Sequence, residues 1–235
     1  MRAAVPDCEV PPHGLLQGAP RPTPYIYSPH EIEVLLDAAR ALGPRDALRP
    51  FTFATLIGLL VSSGLRVGEA VQLETADVRL DDQPPRVLVR QAKFRKSRLV
   101  PLHPTTTAAL RAYARRRRDL GYDGLAETFF VSEYPGPLRA PSVRRTFVAL
   151  ARRAGLRPPV GPGPRVHDLR HTFAVGRLLA WYRDGADVHA RLPELSVYLG
   201  HVKPEDTYWY LSATPELLGT AAARFASFVE HGGAR

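Results

Sequence analysis

The chain has 235 residues, enough for one sizeable core or two small ones, and its 32 Lys and Arg against 23 Asp and Glu leave a net charge of +9, which favours a polyanionic partner. A single cysteine, Cys8, excludes an internal disulfide and a cysteine-built metal site and fits a reducing cytoplasm. No apolar run approaches the ~20 residues of a membrane-spanning helix, and the N-terminus lacks the apolar core of a secretory signal, so no membrane partner is predicted.

Residues 1–27 carry Pro6, Pro11, Pro12, Pro20, Pro22 and Pro24 with glycines between them. Prolines remove backbone donors and resist helix, so this stretch is predicted to be a linker or tail. Ser28-Pro29-His30-Glu31 then has a helix-start pattern, with Ser as N-cap, Pro at the first helical position and Glu three residues after the cap. Ile32, Leu35, Leu36 and Ala39 recur on one face, which places the start of the folded domain at residue 28, and Gly43-Pro44 ends the helix. Phe51 to Val61, strongly apolar and without breakers other than Gly58, predicts a buried helix.

Arg86-Val87-Leu88-Val89-Arg90 and Arg98-Leu99-Val100-Pro101-Leu102 read as a β-hairpin whose turn is Lys93-Phe94-Arg95-Lys96-Ser97. Pro104 to Asp119 reads as a helix with Arg115 to Arg118 in its last turns, where cations suit the helix dipole. A short strand is predicted over Thr128 to Ser132, a basic helix over Ser142 to Ala154 and loop over the Pro- and Gly-rich stretch Gly155 to Pro164. Helical pattern resumes over His167 to Tyr182, around Leu192 to Leu199, near Pro204 to Tyr210 and over Pro215 to Phe228. No repeat period emerges. The sum is a mainly α fold with a small antiparallel β-sheet (α+β), as one domain over 28–230 with a short tail at 231–235.

Several polar side chains could converge on a phosphate. His167 and Arg170, three apart on a helix, share a face and can meet one anion. Alone, a His-x-x-Arg more often marks a solvated face, and the neighbouring His171 reads as a structural partner. Leu199-Gly200-His201 ends a helical segment at a flexible residue, where the next side chain can be presented at a cleft. Tyr208, Trp209 and Tyr210 would by themselves be core or contact surface. A phenol with a pKa of about 10 is a poor nucleophile unless nearby cations favour phenolate character during attack, and two arginines and a lysine beside a phosphate supply such surroundings. Arg66 lies between apolar segments, where an unpartnered charge is costly, and Glu69 three residues on can orient it while its fork faces the phosphate.

Taken together, Ser63-Gly64-Leu65-Arg66-Val67-Gly68-Glu69, the Lys93 hairpin ending in Arg98-Leu99-Val100-Pro101-Leu102, His167-Asp168-Leu169-Arg170-His171-Thr172-Phe173-Ala174, Leu199-Gly200-His201 and Tyr210 resemble, in order and approximate spacing, the motifs of the tyrosine recombinases, the phage-integrase family. The resemblance covers nearly all of residues 28–229. It implies the catalytic-domain fold of DNA breaking-rejoining enzymes, with Arg66, Lys93, His167, Arg170 and His201 as the activating set and Tyr210 as nucleophile. The implied reaction is attack on a DNA phosphodiester, giving a 3′-phosphotyrosyl link and a free 5′-hydroxyl that can reseal it without a cofactor. Arg66 and Arg170 would hold the non-bridging oxygens and offset the growing charge, and His201 would add a hydrogen bond. His167 would accept the proton of Tyr210 and Lys93 would protonate the departing oxygen, with Lys96 its rival in the same turn. No metal is required, because arginines do the charge work.

The remaining basic residues then suit backbone contacts to double-stranded DNA: Arg95, Lys96 and Arg98 beside the turn, and Arg144, Arg145, Arg152 and Arg153 along one helix. Four successive arginines at 115–118 point all round a helix, so part of that run is merely solvated. The stripe Leu217, Leu218, Ala221, Ala222, Phe225 and Phe228 can pack on its own domain or on another copy of the chain in a synaptic complex. Family members usually carry a preceding helical clamp of roughly a hundred residues, within ordinary domain size; here the expectation is a catalytic domain with only a proline-rich lead. The expected activity is that of a site-specific recombinase or integrase acting on DNA in the cytoplasm, as in mobile-element integration, excision or dimer resolution. The alternatives are relaxation of DNA in the manner of a type IB topoisomerase and a non-catalytic DNA-binding regulator that keeps the fold. A metal-dependent nuclease fits less well, since His167, His171 and His201 lack a nearby carboxylate cluster.

Overall fold

Leu48, Phe53, Leu56, Ile57, Leu59 and Leu60 are all buried, on faces that point in several directions from one helix, α2 (Leu48–Ser63). The computed structural model describes residues 24–44, 46–92, 96–133, 136–203, 205–213 and 219, the side chains of 91, 92, 96, 212 and 213 excepted. Within it α2 packs against α1 (Pro29–Arg40), α4 (Pro104–Asp119) and α6 (Asp168–Arg183), which is why its sequence shows no polar stripe. α1 begins as its sequence predicts, with Ser28 Oγ accepting from the Glu31 amide at 3.2 Å and the Glu31 carboxylate accepting from the Ser28 amide at 2.7 Å.

Gly64 stops α2 in the left-handed region at φ +64°, and a Cβ there would lie 2.5 Å from Phe173 Cδ1. The chain turns through Leu65 into α3 (Val67–Val71), with Arg66 at the N-cap. A 3-10 turn over Thr75–Asp77 leads to a three-stranded antiparallel sheet in the order β1 (Val78–Arg79), β2 (Arg86–Ala92), β3 (Lys96–Pro101), with Val87 opposite Val100 and Leu88 opposite Leu99. The hairpin pairs the two predicted strands, but β2 runs on to Ala92 and β3 already starts at Lys96, within the stretch read as turn, whereas two-residue β1 is too short to leave a periodic signal. α5 (Ala140–Arg153), an amphipathic helix with Val143, Phe147, Leu150 and Ala151 buried, α7 (Val188–Leu199) and α8 (Glu205–Ala213) complete the helices with α6.

The strand predicted over 128–132 does not form; it makes only isolated bridges, Glu74 with Thr128 and Val131 with Pro137. Its backbone is held partly by other backbone, the Phe129 amide donating to the Leu73 carbonyl at 2.7 Å and the Leu138 amide to the Phe130 carbonyl at 3.3 Å, and partly by side chains. Arg117, 4% exposed, donates to the carbonyls of Ala126, Thr128 and Phe129 at 2.9–3.0 Å, and the Tyr113 hydroxyl accepts from the Val131 amide. The same contacts take Arg117 out of any DNA-facing run, while Arg116 donates to the Asp46 carbonyl and stacks 5.2 Å from the Phe51 ring centre. The C-terminal stripe Leu217 to Phe228 lies outside the described residues.

Two apolar clusters set the layout. The larger joins α1 to α5 and the sheet and includes Leu35, Leu56, Val87, Val100, Leu110, Phe130, Phe147 and Leu169. The smaller joins α6, α7 and α8 through Ala174, Val175, Leu178, Leu192, Leu195, Leu199 and Tyr210. Each fully buried Leu or Phe contributes about 1.5–3 kcal/mol, so α6, which has residues in both clusters, ties α7 and α8 to the body. Among the described residues no helix is long and apolar enough to cross a membrane.

Candidate active site

Arg66, Arg170, His167, His201 and Tyr210 come from four separate places in the chain and line one open cavity of about 320 Å³, with Arg165, His171, Asp206 and Trp209 completing its wall. Each arrives by a local device. Arg66 is the N-cap of α3, where Glu69 closes the first turn: its carboxylate accepts from the Arg66 amide at 2.9 Å and from Arg66 Nη1 at 2.9 Å. His201 follows Gly200, which ends α7 in the left-handed region at φ +67°. The Leu199 and Gly200 carbonyls accept from Arg66 at 3.4 and 3.0 Å, so the end of α7 is moored to α3.

Glu69 joins two arginines, because Arg98 on β3 forks onto both its oxygens at 3.1 and 2.8 Å and donates to the Tyr198 carbonyl at 2.8 Å. Burial pushes the Glu69 carboxyl up, but the hydrogen bonds and charges of Arg98 and Arg66 outweigh it and hold it below the usual carboxylate range. Arg98, expected as a DNA contact, thus spends its guanidinium on the protein, with 12% of its side chain exposed. A Cβ on Gly200 would lie 2.9 Å from Arg98 Nη1, so this glycine lets the strand's arginine pass under the α7 terminus.

Arg170 is 2% exposed and bridges the two moorings, donating to the carbonyls of Gly64 and Leu199 at 2.7 Å each. Burial and the adjacent charge of Arg66 pull its pKa down to about 10, the behaviour of a cation held in a dry place beside another cation. An anion entering here relieves both costs. Tyr210, also 2% exposed, has its phenol raised by burial and pulled back by Arg170 and Arg66, so the arginines act on it in the direction nucleophilic attack requires.

The histidines divide their roles. His201 Nδ1 is 2.7 Å from Thr207 Oγ1, its ring lies nearly parallel to Tyr210 at 6.2 Å, and burial with Arg170 and Arg66 drives its pKa down to about 3. His167 occupies the position just before α6 without a side-chain capping bond and stands exposed on the rim, where the protein packed behind it and Arg170 lower its pKa. The Tyr210 hydroxyl, expected to face His167, instead meets His171, whose Nδ1 is 2.9 Å from Tyr210 Oη. The sequence pattern held a usable hint: residues 167 and 171 are four apart and share a helix face, so either could meet an incoming side chain.

Lys93 and Arg95 lie outside the described residues; Lys96 opens β3, its side chain likewise outside them. Arg144 and Arg145 are exposed on α5 and do not line this cavity. Arg152 donates to the Pro158 carbonyl and Arg153 to that of Ala41. Among the described residues no cluster of His, Cys, Asp and Glu is arranged to hold a metal ion.

The chain is similar to known proteins in sequence and in fold. The family model described as the phage integrase family matches residues 27–216. The putative integrase/recombinase y4rB of Sinorhizobium fredii is 45% identical over 228 residues, covering 94% of this chain and 72% of that protein. Tyrosine recombinase XerD of Mycobacterium tuberculosis is 33% identical over 190 residues, covering 80% of this chain and 56% of its own. Among solved structures, XerA recombinase superposes with a TM-score of 0.64 at 25% identity, covering 90% of this chain and 66% of that one. A lambda integrase dimer bound to a COC′ core site, at 19% identity and a TM-score of 0.56, shares the fold.

Proposed function

The chain belongs to the phage integrase family, the tyrosine recombinases, and from that premise we propose that it breaks and rejoins DNA strands through a covalent link between Tyr210 and a 3′-phosphate. The phenol oxygen attacks the scissile phosphorus, the bond to the 5′-oxygen breaks, and the energy of that bond is kept in the protein–DNA ester. A 5′-hydroxyl from the same or another strand then reverses the step. Residues 28–230 form the catalytic domain in this reading.

Arg170 and Arg66 take the two non-bridging oxygens. Their guanidinium groups are already held by backbone carbonyls and Glu69, so little reorganisation is needed as charge grows on the phosphorane, and removal of one such donor typically costs about 10²–10³ in rate. His201 and His167 add hydrogen bonds at the cavity wall and rim. Lys93 is assigned the proton for the departing 5′-oxygen, on the order of the motifs alone. Arg95, Lys96, Arg144 and Arg145 are assigned to phosphate contacts that hold register without reading bases. Double-stranded DNA is the substrate, copies of the chain are the partners that supply the other strands' nucleophiles, and the bacterial cytoplasm is the place of work.

What carries this reading is one observation: a buried tyrosine whose hydroxyl lines the same cavity as two guanidinium groups drawn from distant parts of the chain. The test uses a pool of nicked duplexes of randomised sequence, quenched in detergent. The expected result is a protein–DNA adduct that Tyr210→Phe abolishes. Binding without any adduct would refute the reading, and two-site strand exchange, as opposed to relaxation of a single plasmid, separates recombination from topoisomerase action.

A further inference from the structure

The proton leaving Tyr210 has a nearer destination than the rim histidine. His171 Nδ1 lies 2.9 Å from Tyr210 Oη, and the other ring nitrogen, Nε2, lies 3.9 Å from Asp168 Oδ1. Asp168 is 1% exposed and held still by Arg165, whose amide donates to Oδ2 at 2.7 Å and whose guanidinium donates to Oδ1 at 2.9 Å. The imidazole is fixed on its faces and edges as well, with ring centres of His167 at 4.8 Å and Trp209 at 5.6 Å. A carboxylate at ion-pair distance from the imidazole, and a hydroxyl at hydrogen-bond distance from its other nitrogen, therefore stand in sequence. His201 is oriented differently, with its Nδ1 2.7 Å from Thr207 Oγ1 and its ring nearly parallel to that of Tyr210 at 6.2 Å between centres.

We propose that His171 is a catalytic residue, the proton acceptor for Tyr210 during strand cleavage, with Asp168 as the positioning residue behind it; this deepens, and rests on, the assignment of Tyr210 as nucleophile. As the oxygen–phosphorus bond forms, the phenolic O–H breaks toward Nδ1 and gives an imidazolium. The phosphorus–5′-oxygen bond breaks in the same displacement, and the leaving oxygen takes its proton from the acid on its own side. Rejoining runs the sequence backwards, and the imidazolium returns its proton to the departing phenolate.

The charges around the ring suit this. His171 faces His167, Asp168 and Arg170 on and before α6, Arg165 in the preceding loop, and Tyr210 with Trp209 on α8. Burial and the neighbouring His167 hold its pKa down at about 4, so at neutral pH Nδ1 keeps a lone pair to accept with. An incoming phosphodiester offsets Arg170 and Arg165 and lifts the imidazole, while the phenol becomes more acidic as its oxygen bonds to phosphorus. The two affinities approach each other in the transition state, where general-base catalysis acts.

The experiment uses the full chain and the randomised duplex pool with a bridging 5′-phosphorothiolate, whose sulfur leaves without needing a proton. His171→Asn keeps an acceptor oxygen near the Nδ1 position but cannot take the proton; His171→Gln is the second variant. Adduct formation is expected to slow on the order of a hundredfold or more with DNA binding retained, to rise with pH in the variants, and to recover when position 210 carries a fluorinated tyrosine that ionises at lower pH. Loss through packing alone would respond to neither pH nor fluorination. Adduct formation by His171→Asn within a few-fold of the unmodified chain overturns the inference, as does failure of fluorination to restore it. Should both variants fail to melt cooperatively, the unmodified chain decides: a normal solvent deuterium isotope effect on the phosphorothiolate reaction supports proton transfer, and its absence overturns it. No adduct from the unmodified chain at all would bring down the functional reading itself.

Discussion

Two glycines of α2 and its cap, six positions apart, are expected to respond to the same substitution with opposite sign. At Gly64 the backbone sits at φ +64°, where an L side chain costs roughly 1–2 kcal/mol. An added Cβ would also meet Phe173 Cδ1 at 2.5 Å and Leu199 Cδ2 at 3.1 Å, and overpacking of this kind costs typically ~1–3 kcal/mol. Gly64→Ala should therefore lose about 2–5 kcal/mol, a drop in Tm of roughly 4–20 °C for a chain of this size. At Gly58, in the helix interior, nothing lies within 4 Å of the added Cβ, so Gly58→Ala should gain ~0.5–1 kcal/mol from helix propensity alone. Urea and thermal unfolding followed by circular dichroism at 222 nm measure both. Pairing Gly64→Ala with Phe173→Leu separates the terms, since the smaller side chain relieves the contact and leaves the backbone cost. A Gly64→Ala protein within about 0.5 kcal/mol of the unmodified chain, the ordinary range of a neutral substitution, would refute the reasoning.

Three further outcomes are expected. Arg170→Lys should lose adduct formation by about 10²–10³ while DNA binding persists, because an ammonium cannot bridge the Gly64 and Leu199 carbonyls and still offer a fork to phosphate; single-turnover trapping measures it. Glu69 has its folded-state pKa below the ordinary 4.5, so it stabilises the fold above that value and the contribution is lost as pH falls through the lowered pKa; unfolding free energy measured from pH 6 to 3 should fall less steeply in Glu69→Gln, and equal slopes would contradict the Arg66–Glu69–Arg98 bridge. Arg144→Ala with Arg145→Ala should reduce the salt slope of DNA binding by up to about one per lost phosphate contact with little change in Tm, whereas Arg117→Met should lower Tm and leave the salt slope unchanged, since Arg117 is buried under four backbone carbonyls.

Much of the architecture is written in local chemistry that a linear reading recovers. The capping box at Ser28, the alternating hairpin strands and the proline that starts α4 at residue 104 all act between residues a few positions apart, where periodicity and cap residues carry the information. The spacing of Arg66, Arg170, His201 and Tyr210 also identified the family and the residues that now line one cavity. Partner choice was a different matter, because it depends on which elements approach each other and at what angle. Whether His167 or His171 meets Tyr210 depends on where α8 lands on α6, and both histidines lie on the face it approaches. Arg98 resembles a DNA contact in the sequence and becomes an internal strut because β3 brings it beside Glu69 and the end of α7. Arg117 is, in the sequence, one of four successive arginines pointing round a helix; in the fold the chain after α4 folds back over it, and its guanidinium takes the Thr128 and Phe129 carbonyls. Residue types and short-range spacing determine which helices form and which chemistry is available; long-range packing decides which atoms hold which, since a hydrogen bond or ion pair exists only at a distance that tertiary contacts alone set.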